Sequence, residues 1–453
     1  MLDRRLFLKG TGTLAFSGLL SCSFLPSKEH TQKNINVGYG SLQTDPKGLL
    51  DLPKGFTYQV ISSLGDVMSD DLHVPDRADG MGCIGLSKDK VALIRNHELK
   101  PKHLLKQPES IQSFTSELAY DVNPNGIVLP GGTSTIIYNL VTRQVERQYL
   151  SLIGTIRNCS GGVTPWGTWL SCEESVATSG IKIQRDHGYI FEVPANANGL
   201  VSAEPLKAMG RFNHEAACVD PSTGIVYLTE DRADSLFYRF IPKVYGELSK
   251  GGQLQALSIK GLPKFDSRNW DKKRIEVNQW FETQWIDLDN PESPKDDLRE
   301  RGYKLGATLF ARGEGIHWAD NELYFTCTNG GKKQLGQIMR YQPLTQHNNS
   351  GESDGRIQLF LESHDPTQFN LGDNLTVTPQ GHLLVCEDQY TEVVENHLRG
   401  VTPSGDVYDF AKLNRQTELA GACFSPDGST MFVNVYSPTM TLAITGPWNI
   451  YFE

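Results

Sequence analysis

A unit of turn, apolar strand and polar cluster occurs six times along this chain, and this repeat restricts the possible folds more than any other feature of the sequence. Each unit has Gly, Asp, Asn or Pro at a hairpin-type turn, followed by a short β-branched or aromatic run. The six units are 88–98, 165–174, 221–231, 320–329, 379–388 and 426–434. Repeated hairpins without helical periodicity between them predict an all-β fold, a six-bladed β-propeller with one unit in each blade.

The spacing between the units is uneven, so the propeller is expected to carry long insertions between its blades. The charged, Trp-containing stretch from Leu262 to Gly306 is predicted to be one such insertion. The length of 453 residues fits either one large closed β architecture or two ordinary domains. The continuing series of units favours a single propeller domain over residues 37–453.

The N-terminus has the features of an export signal. Residues 3–9 carry twin arginines followed by Phe-Leu-Lys, and a short apolar stretch comes next. This pattern predicts a twin-arginine-type signal peptide over residues 1–22 and a polar linker over 23–36, although an ordinary secretory signal has similar regions. The run before Cys22 resembles a lipoprotein cleavage box, so a lipid anchor on that cysteine and plain cleavage are both open. The expected location is periplasmic, membrane-tethered or extracellular.

The charge balance indicates the kind of ligand that the protein binds. The chain has 43 Lys and Arg against 53 Asp and Glu, a formal net charge of -10. Nucleic acid is not an expected partner, because phosphate backbones select basic surfaces. Five of the six units end in carboxylate or carboxamide side chains, and such groups from several blades would converge on one axial site that suits hard cations. The alternative is that the strands end in ordinary polar turn residues.

Two segments combine a possible ligand with glycines. The run 157–159, Arg-Asn-Cys, comes just before a Gly-Gly pair, and glycine lets the backbone approach a ligand closely. Cys159 is predicted to lie in a loop, where its thiolate would be a soft ligand for a transition metal. In the run 312–314, Arg-Gly-Glu, the planar guanidinium of Arg312 suits a phosphate and the carboxylate of Glu314 suits a metal.

Two further segments supply oxygen ligands. Glu215 follows His214, which is alternatively a satisfied core histidine, and Asp373 lies between Gly372 and Asn374 just before the fifth unit. The motifs HExxH and GxSxG, the Walker loop and the EF-hand loop are absent from the sequence. The serine-hydrolase class is therefore not favoured.

Together these motifs resemble the PhoX family of alkaline phosphatases, in the family's order and over nearly all of the mature chain. The matching segments are Gly38-Tyr39-Gly40, 45–53, Arg95-Asn96-His97-Glu98, Arg157-Asn158-Cys159, Cys172-Glu173-Glu174, His214-Glu215-Ala216, Arg312-Gly313-Glu314-Gly315 and Gly446-Pro447-Trp448. The chain departs from the family in length, because well-known members are longer. This difference affects the prediction of substrate specificity, which depends on loops, more than the prediction of the chemistry.

The resemblance implies a phosphatase that acts on phosphomonoesters. With the export signal, we expect an exported enzyme, and our hypothesis for its mechanism is attack of a metal-bound oxygen on phosphorus. The cofactors that the resemblance implies are Ca²⁺ and Fe³⁺ in an oxo-bridged cluster. The implied catalytic residues are Arg312 and Asn158, which would contact the phosphate, and Glu314. The implied metal ligands are Cys159, Glu174, Glu215, Glu314, Asp373, Glu387, Glu173, Glu230 and Asp231. We expect a monomer that acts on small phosphorylated substrates and touches a membrane only through a lipid on Cys22.

Three alternatives use the same residues. A phosphodiesterase or a phytase-like propeller holds similar cation clusters and cleaves a different ester. A non-catalytic calcium-binding propeller predicts bound calcium without hydrolysis, but it has no use for the thiolate of Cys159. An oxidoreductase would use the same iron, and only the resemblance argues against it.

Overall fold

The computed structural model describes residues 37–106, 117–344, 354–389, 391–392 and 394–449. The predicted signal peptide and linker, and with them Cys22, lie outside these residues. None of the helices in the described ranges is long and apolar enough to cross a membrane.

Strands dominate the described chain, which has a single α-helix. The first thirteen strands are β1 (Leu42–Gln43), β2 (Leu50–Pro53), β3 (Thr57–Ser63), β4 (Ala78–Gly85), β5 (Lys90–His97), β6 (Gly131–Asn139), β7 (Gln144–Thr155), β8 (Asn158–Val163), β9 (Thr168–Glu173), β10 (Ile190–Pro194), β11 (His214–Val219), β12 (Val226–Glu230) and β13 (Tyr238–Pro242). The remaining strands are β14 (Gly252–Ile259), β15 (Trp280–Asp287), β16 (Gly313–Ala319), β17 (Glu322–Cys327), β18 (Gln337–Pro343), β19 (Gly355–Glu362), β20 (Gly372–Val377), β21 (Leu383–Glu387), β22 (His397–Val401), β23 (Val407–Leu413), β24 (Leu419–Phe424), β25 (Thr430–Val435) and β26 (Met440–Thr445). The helix, α1, is Leu298–Leu305, and short 3₁₀ segments cover Pro101–Lys106, Lys207–Met209 and Leu248–Lys250.

The strands form five antiparallel sheets within the described ranges. Four smaller sheets have the orders β4-β5-β6-β7, β10-β9-β8, β24-β25-β26-β3 and β1-β2-β23-β22-β21-β20. The fifth sheet has nine strands in the order β11-β12-β13-β14-β15-β19-β18-β17-β16. The structure therefore confirms an all-β, propeller-like fold.

The prediction of six separate blades was wrong. β15 lies in the stretch predicted to be an insertion, and it pairs with β14 on one side and with β19 on the other. Its register with β19 places Trp280 opposite Gln358 and Thr283 opposite Gly355. Because this one strand pairs with the exposed edges of two meanders, β11–β14 and β16–β19 merge into a continuous sheet.

All six strands predicted from the repeat are present. They are β5, β9, β12, β17, β21 and β25, here called the second strands, since each follows another strand of its meander. The preceding strands, β4, β8, β11, β16, β20 and β24, contact one another in that cyclic order, with β24 in contact with β4. We call them the ring strands. The repeat in the sequence identified the second strands, which pair with the ring strands, but not the ring strands themselves.

Glycines allow the ring strands to approach one another closely. A Cβ at Gly162 in β8 would lie 1.9 Å from the carbonyl oxygen of Ala217 in β11. A Cβ at Gly315 in β16 would lie 2.7 Å from the Cα of Asn374 in β20. No side chain fits at either place, so the narrow ring depends on glycine.

The hydrophobic core is divided among the spaces between neighbouring sheets. One cluster packs Leu170 of β9 with Leu228 of β12, and another packs Leu384 of β21 with Val433 of β25. β3, from the start of the described chain, pairs with β26 near its end. The apolar strands of the repeat therefore bury their side chains between sheets, which leaves the polar strand ends at the ring.

Candidate active site

Each ring strand carries a β-bulge near its start. Its register with the second strand shifts between Ala78 and Met81, Asn158 and Gly161, His214 and Ala217, Gly313 and Ile316, Gly372 and Leu375, and Ala420 and Cys423. A bulge turns side chains away from the regular alternation of a strand. The first residues inside the bulges, here called the bulge residues, are Asp79, Cys159, Glu215, Glu314, Asp373 and Gly421. Five of the six bulges therefore begin with an acid or a thiol.

A repeated backbone hydrogen bond fastens each meander next to its bulge. The residue directly after each second strand donates its N–H to the carbonyl of the residue directly before the ring strand, over 2.9–3.2 Å. The donors, here called the following residues, are Glu98, Glu174, Asp231, Thr328, Asp388 and Tyr436. The acceptors, here called the leading residues, are Arg77, Arg157, Asn213, Arg312, Leu371 and Glu418. Three residues of each meander are thus held at the same end of the ring.

A cavity of about 110 Å³ lies at this end of the ring. Its lining residues are all bulge, following or leading residues: Asp79, Glu98, Arg157, Cys159, Glu174, Glu215, Asp231, Arg312, Glu314, Thr328, Asp373, Asp388 and Glu418. They bring together nine carboxyl groups, one thiol, one hydroxyl and two guanidinium groups. The cavity is therefore strongly acidic.

Three sets of side chains in the cavity are compact enough to hold a cation. The first ligand group is Cys159, Glu174 and Glu215, the second is Glu215, Glu314 and Asp373, and the third is Asp373, Asp388 and Glu418. Within each group the ligand atoms lie within 4.8 Å of one another. Because Glu215 and Asp373 each belong to two groups, the three positions form a continuous series across the cavity.

The burial of so many acids requires compensating positive charge. Burial, with the neighbouring carboxylates, raises the pKa of Glu215 and that of Glu314 well above the ordinary value. Burial likewise raises the pKa of Asp373 to about 7 and that of Glu174 to about 8. Bound cations would favour the ionised form of each group and so remove this cost. The residues present therefore fit a cluster of metal ions.

Cys159 is the soft donor among the lining residues. It lies in β8, so the prediction of a loop was wrong, and the bulge explains how a strand residue comes to face the cavity. Its Sγ lies 3.2 Å from the carbonyl oxygen of His214 and 3.5 Å from that of Glu215. Burial, and then the Glu215 and Glu174 carboxylates, raise the pKa of this thiol, so its thiolate form requires a cation nearby.

Two arginines face the acids. Arg312 donates to both carboxylate oxygens of Asp231, with Nε–Oδ1 at 2.7 Å and Nη2–Oδ2 at 3.0 Å, and its Nη2 lies 3.1 Å from Oε1 of Glu314. Arg157 donates from Nε to Oε1 of Glu98 at 2.8 Å and from Nη2 to Glu174. A guanidinium fixed in this way presents its remaining donors in a set plane, which suits the oxygens of a phosphate.

The cavity contains most of the residues predicted from the sequence, namely Arg312, Glu314, Cys159, Glu174, Glu215, Asp373 and Asp231. Glu173, Glu230 and Glu387 do not line it. Each of these three is the last residue of its second strand, and the following residue beside it faces the cavity instead. Adjacent residues at a strand end point to opposite sides, so the other acid of each pair points away from the ring.

The three acids that point away have partners within the protein. The partners are His187 for Glu173, at 2.6 Å, Tyr238 for Glu230, at 2.7 Å, and Arg399 for Glu387, at 2.8 Å. All three glutamates are fully buried. They stabilise the meanders behind the cavity by satisfying buried donors.

Asn158, predicted to contact the phosphate, is fully buried away from the cavity. Its Oδ1 accepts a hydrogen bond from Oγ1 of Thr155 at 2.7 Å, and its Nδ2 donates to Oγ of Ser171 at 2.9 Å. His214 is also fully buried, and its Nε2 lies 3.0 Å from the carbonyl oxygen of Gly210. Both side chains therefore have structural partners, and the core alternative for His214 is favoured.

Six lining residues had not been predicted as site residues: Asp79, Glu98, Arg157, Thr328, Asp388 and Glu418. Glu98, Thr328 and Asp388 lie at the ends of the repeated units, so the repeat contained the signal that locates them. Asp79 lies in β4, a strand that the repeat did not include. Glu418 follows a polar stretch and has no pattern that distinguishes it from a surface glutamate.

A buried ion triad supports the segment that carries Arg157. Nδ1 of His187 lies 2.6 Å from Glu173, and its Nε2 lies 3.2 Å from Asp121. Burial alone would lower the pKa of His187, but the two carboxylates raise it to about 9, so the imidazole is charged at neutral pH. Glu173 also accepts the backbone N–H of Ile156 at 3.0 Å, directly before Arg157.

Comparison with known proteins places the chain in a family. The family model described as alkaline phosphatase PhoX matches residues 37–137 and 129–439. Among solved structures the chain is similar to Pseudomonas fluorescens PhoX in complex with vanadate, a transition state analogue, with 18% identity, a TM-score of 0.67, and 90% of this chain and 98% of that chain covered. It is also similar to a gluconolactonase from Xanthomonas campestris, with 10% identity, a TM-score of 0.41 and coverage of 86% and 98%. No curated protein matches the chain. Since the family model spans most of the described residues, the chain belongs to the PhoX family of metal-dependent alkaline phosphatases.

Proposed function

We propose that this phosphatase hydrolyses phosphomonoesters at the acidic cavity with the help of a cluster of Fe³⁺ and Ca²⁺ ions. The observation that carries the proposal is the continuous series of three ligand groups, in a cavity where nine carboxyl groups and a thiol face two guanidinium groups. Such an excess of acidic groups in a small buried space suits several cations rather than one.

The donors differ along the series, and this difference supports two kinds of metal. The first ligand group contains the thiol of Cys159, a soft ligand that suits iron. The third ligand group offers oxygen atoms alone, as calcium prefers. The second group shares one carboxylate with each of the others. When bound, such ions stabilise negative charge on a phosphoryl group and lower the pKa of water.

Arg312 is placed to hold the phosphoryl group of the substrate. Its two hydrogen bonds to Asp231 fix the guanidinium plane, and its contact with Glu314 keeps it beside the second ligand group. Phosphoryl transfer concentrates negative charge on the phosphoryl oxygens, and a fixed guanidinium stabilises that charge. Because arginine stays protonated, its role is to bind and orient rather than to transfer a proton. The relative from Pseudomonas fluorescens binds vanadate, a transition state analogue, which supports this reaction class.

The proposal is tested by hydrolysis of p-nitrophenyl phosphate at alkaline pH with calcium, before and after chelation by EDTA. We expect hydrolysis that chelation abolishes and added calcium restores. Glu314→Gln should be inactive, whereas Glu322→Gln, a buried glutamate bound to Arg340 away from the cavity, should keep the wild-type rate. Faster turnover of a diester or of phytate than of the monoester would replace the proposed substrate class. A folded, metal-loaded protein without hydrolytic activity would overturn the proposal.

We further propose that the protein is exported by the twin-arginine route and acts as a monomer outside the cytoplasm. The support for export is the twin-arginine pattern of residues 3–9, and that for a lipid anchor is the box before Cys22. Cell fractionation tests both, since replacement of Arg4 and Arg5 by Lys should retain the protein in the cytoplasm. Light scattering of the purified protein tests the monomeric state.

A further inference from the structure

Arg157 and Arg312 occupy equivalent positions in the fold. Each is a leading residue, and each precedes its bulge residue by two positions, Cys159 in one case and Glu314 in the other. Both have a left-handed backbone, with φ of 49° and 51°. Both side chains line the cavity, and they are similarly exposed, 29% for Arg157 and 24% for Arg312.

The guanidinium of Arg157 is held in place and still has a donor to offer. Its Nε donates to Oε1 of Glu98 at 2.8 Å, and its Nη2 donates to Glu174. Within the described part of the chain, Nη1 has no hydrogen-bond partner. Glu98 is itself fixed, because Tyr436 donates to its other oxygen and Arg77 donates to the Tyr436 hydroxyl at 2.5 Å.

The two arginines flank the residue that joins two ligand groups. Arg157 contacts Glu174 of the first group, and Arg312 contacts Glu314 of the second, while Glu215 belongs to both. β11, which carries Glu215, lies between β8 and β16 in the ring, and these are the strands that the two arginines directly precede. An anion that reaches both ligand groups would therefore have a guanidinium group on each side.

We propose that Arg157 is a second phosphate-binding residue, which grips the phosphoryl group from the β8 side while Arg312 grips it from the β16 side. The inference rests on the proposed phosphatase function and adds a residue to its binding site. Arg77, the third arginine at a leading position, has a different role: its guanidinium is bound to Tyr436, and it does not line the cavity. The proposed phosphate-binding pair is therefore Arg157 and Arg312.

The test compares Arg157→Gln and Arg157→Lys with the wild type and with Arg340→Gln as a matched control. Arg340 is 26% exposed and bound to Glu322, so the control also removes a paired, half-buried guanidinium, but one outside the cavity. The readouts are the inhibition constants of inorganic phosphate and orthovanadate, KM and kcat with p-nitrophenyl phosphate, and bound metal. Loss of a charge-assisted hydrogen bond should weaken phosphate and vanadate inhibition about tenfold or more in Arg157→Gln. Arg157→Lys should recover part of the loss, and Arg340→Gln should match the wild type.

Three results would overturn the inference. One is an unchanged inhibition constant in both Arg157 variants. Another is a weakened constant that returns to the wild-type value once the variant is resaturated with metal, because Arg157 would then act only through Glu174. A third is a defect confined to substrates with a second phosphate, which would place Arg157 at the leaving group. Wild-type protein that hydrolyses the ester and binds vanadate keeps the proposed function intact in each of these cases.

Discussion

Removal of the metal ions should reverse the pH dependence of the protein's stability. In the metal-free protein, burial and then the Asp388 carboxylate raise the pKa of Asp373 from its ordinary value of 3.8 to about 7. The folded state then holds a proton that the unfolded state has released, so the free energy of unfolding decreases as the pH rises from about 4 to about 7. Metal-loaded protein should show the opposite trend up to neutral pH, because its ligands must be ionised to bind cations.

The size of the effect follows from the shift in the pKa of Asp373. A difference of about 3 between the folded and ordinary pKa corresponds to about 4 kcal/mol. For a chain of this length, about 4 kcal/mol lowers Tm by roughly 4–5 °C. Burial raises the pKa of Glu174 to about 8, which acts in the same direction over a similar pH range.

The assay is thermal unfolding of EDTA-treated protein at about pH 4 and at about pH 8.5, with a calcium-loaded sample beside it. The pKa of His187 is raised to about 9, so its contribution to the free energy of unfolding also decreases as the pH rises. A variant is therefore needed to separate the effect of the cavity from that of His187. Asp373→Asn removes one of the titrating carboxyl groups of the cavity, so the decrease in the free energy of unfolding of the metal-free protein should become about 4 kcal/mol smaller. A metal-free wild type that is equally or more stable at pH 8.5 would refute the reasoning.

Three further predictions test individual residues. Glu314→Ala should abolish turnover and reduce bound metal, since this carboxylate belongs to the second ligand group and contacts Arg312; full activity would contradict its assignment. Asp388→Asn should lower bound calcium, as measured by elemental analysis, at nearly unchanged stability. Glu387→Gln should keep bound calcium but lower the free energy of unfolding by about 3 kcal/mol, because it weakens the buried ion pair with Arg399. His187→Gln should cost about 3 kcal/mol at pH 6, and the difference from wild type in urea unfolding should shrink towards pH 9; a constant difference would exclude a charged imidazole.

The repeat in the sequence was enough to locate the polar ends of the second strands but not to say which acid of a pair is functional. In the pairs at 173–174, 230–231 and 387–388, the second acid lines the cavity and the first points into the meander. Side chains alternate between the two sides of a strand, but which of two adjacent residues at its end faces the cavity depends on the residue at which strand pairing stops. That residue is set by the backbone hydrogen bond to the leading residue, which precedes the other strand of the hairpin and is not marked by the repeat.

The class of fold can be predicted from the amino-acid sequence alone, because turn residues and β-branched runs specify hairpins locally. The family can also be predicted in this way, through motifs that need no knowledge of their spatial arrangement. The composition of the cavity, in which residues as far apart in sequence as Asp79 and Glu418 meet, becomes visible only in the folded protein. The bulges and the ring place these residues together, and both depend on long-range contacts between strands that no local pattern encodes. The merging of two meanders through β15 has the same origin, because an edge strand pairs with whichever edge lies beside it.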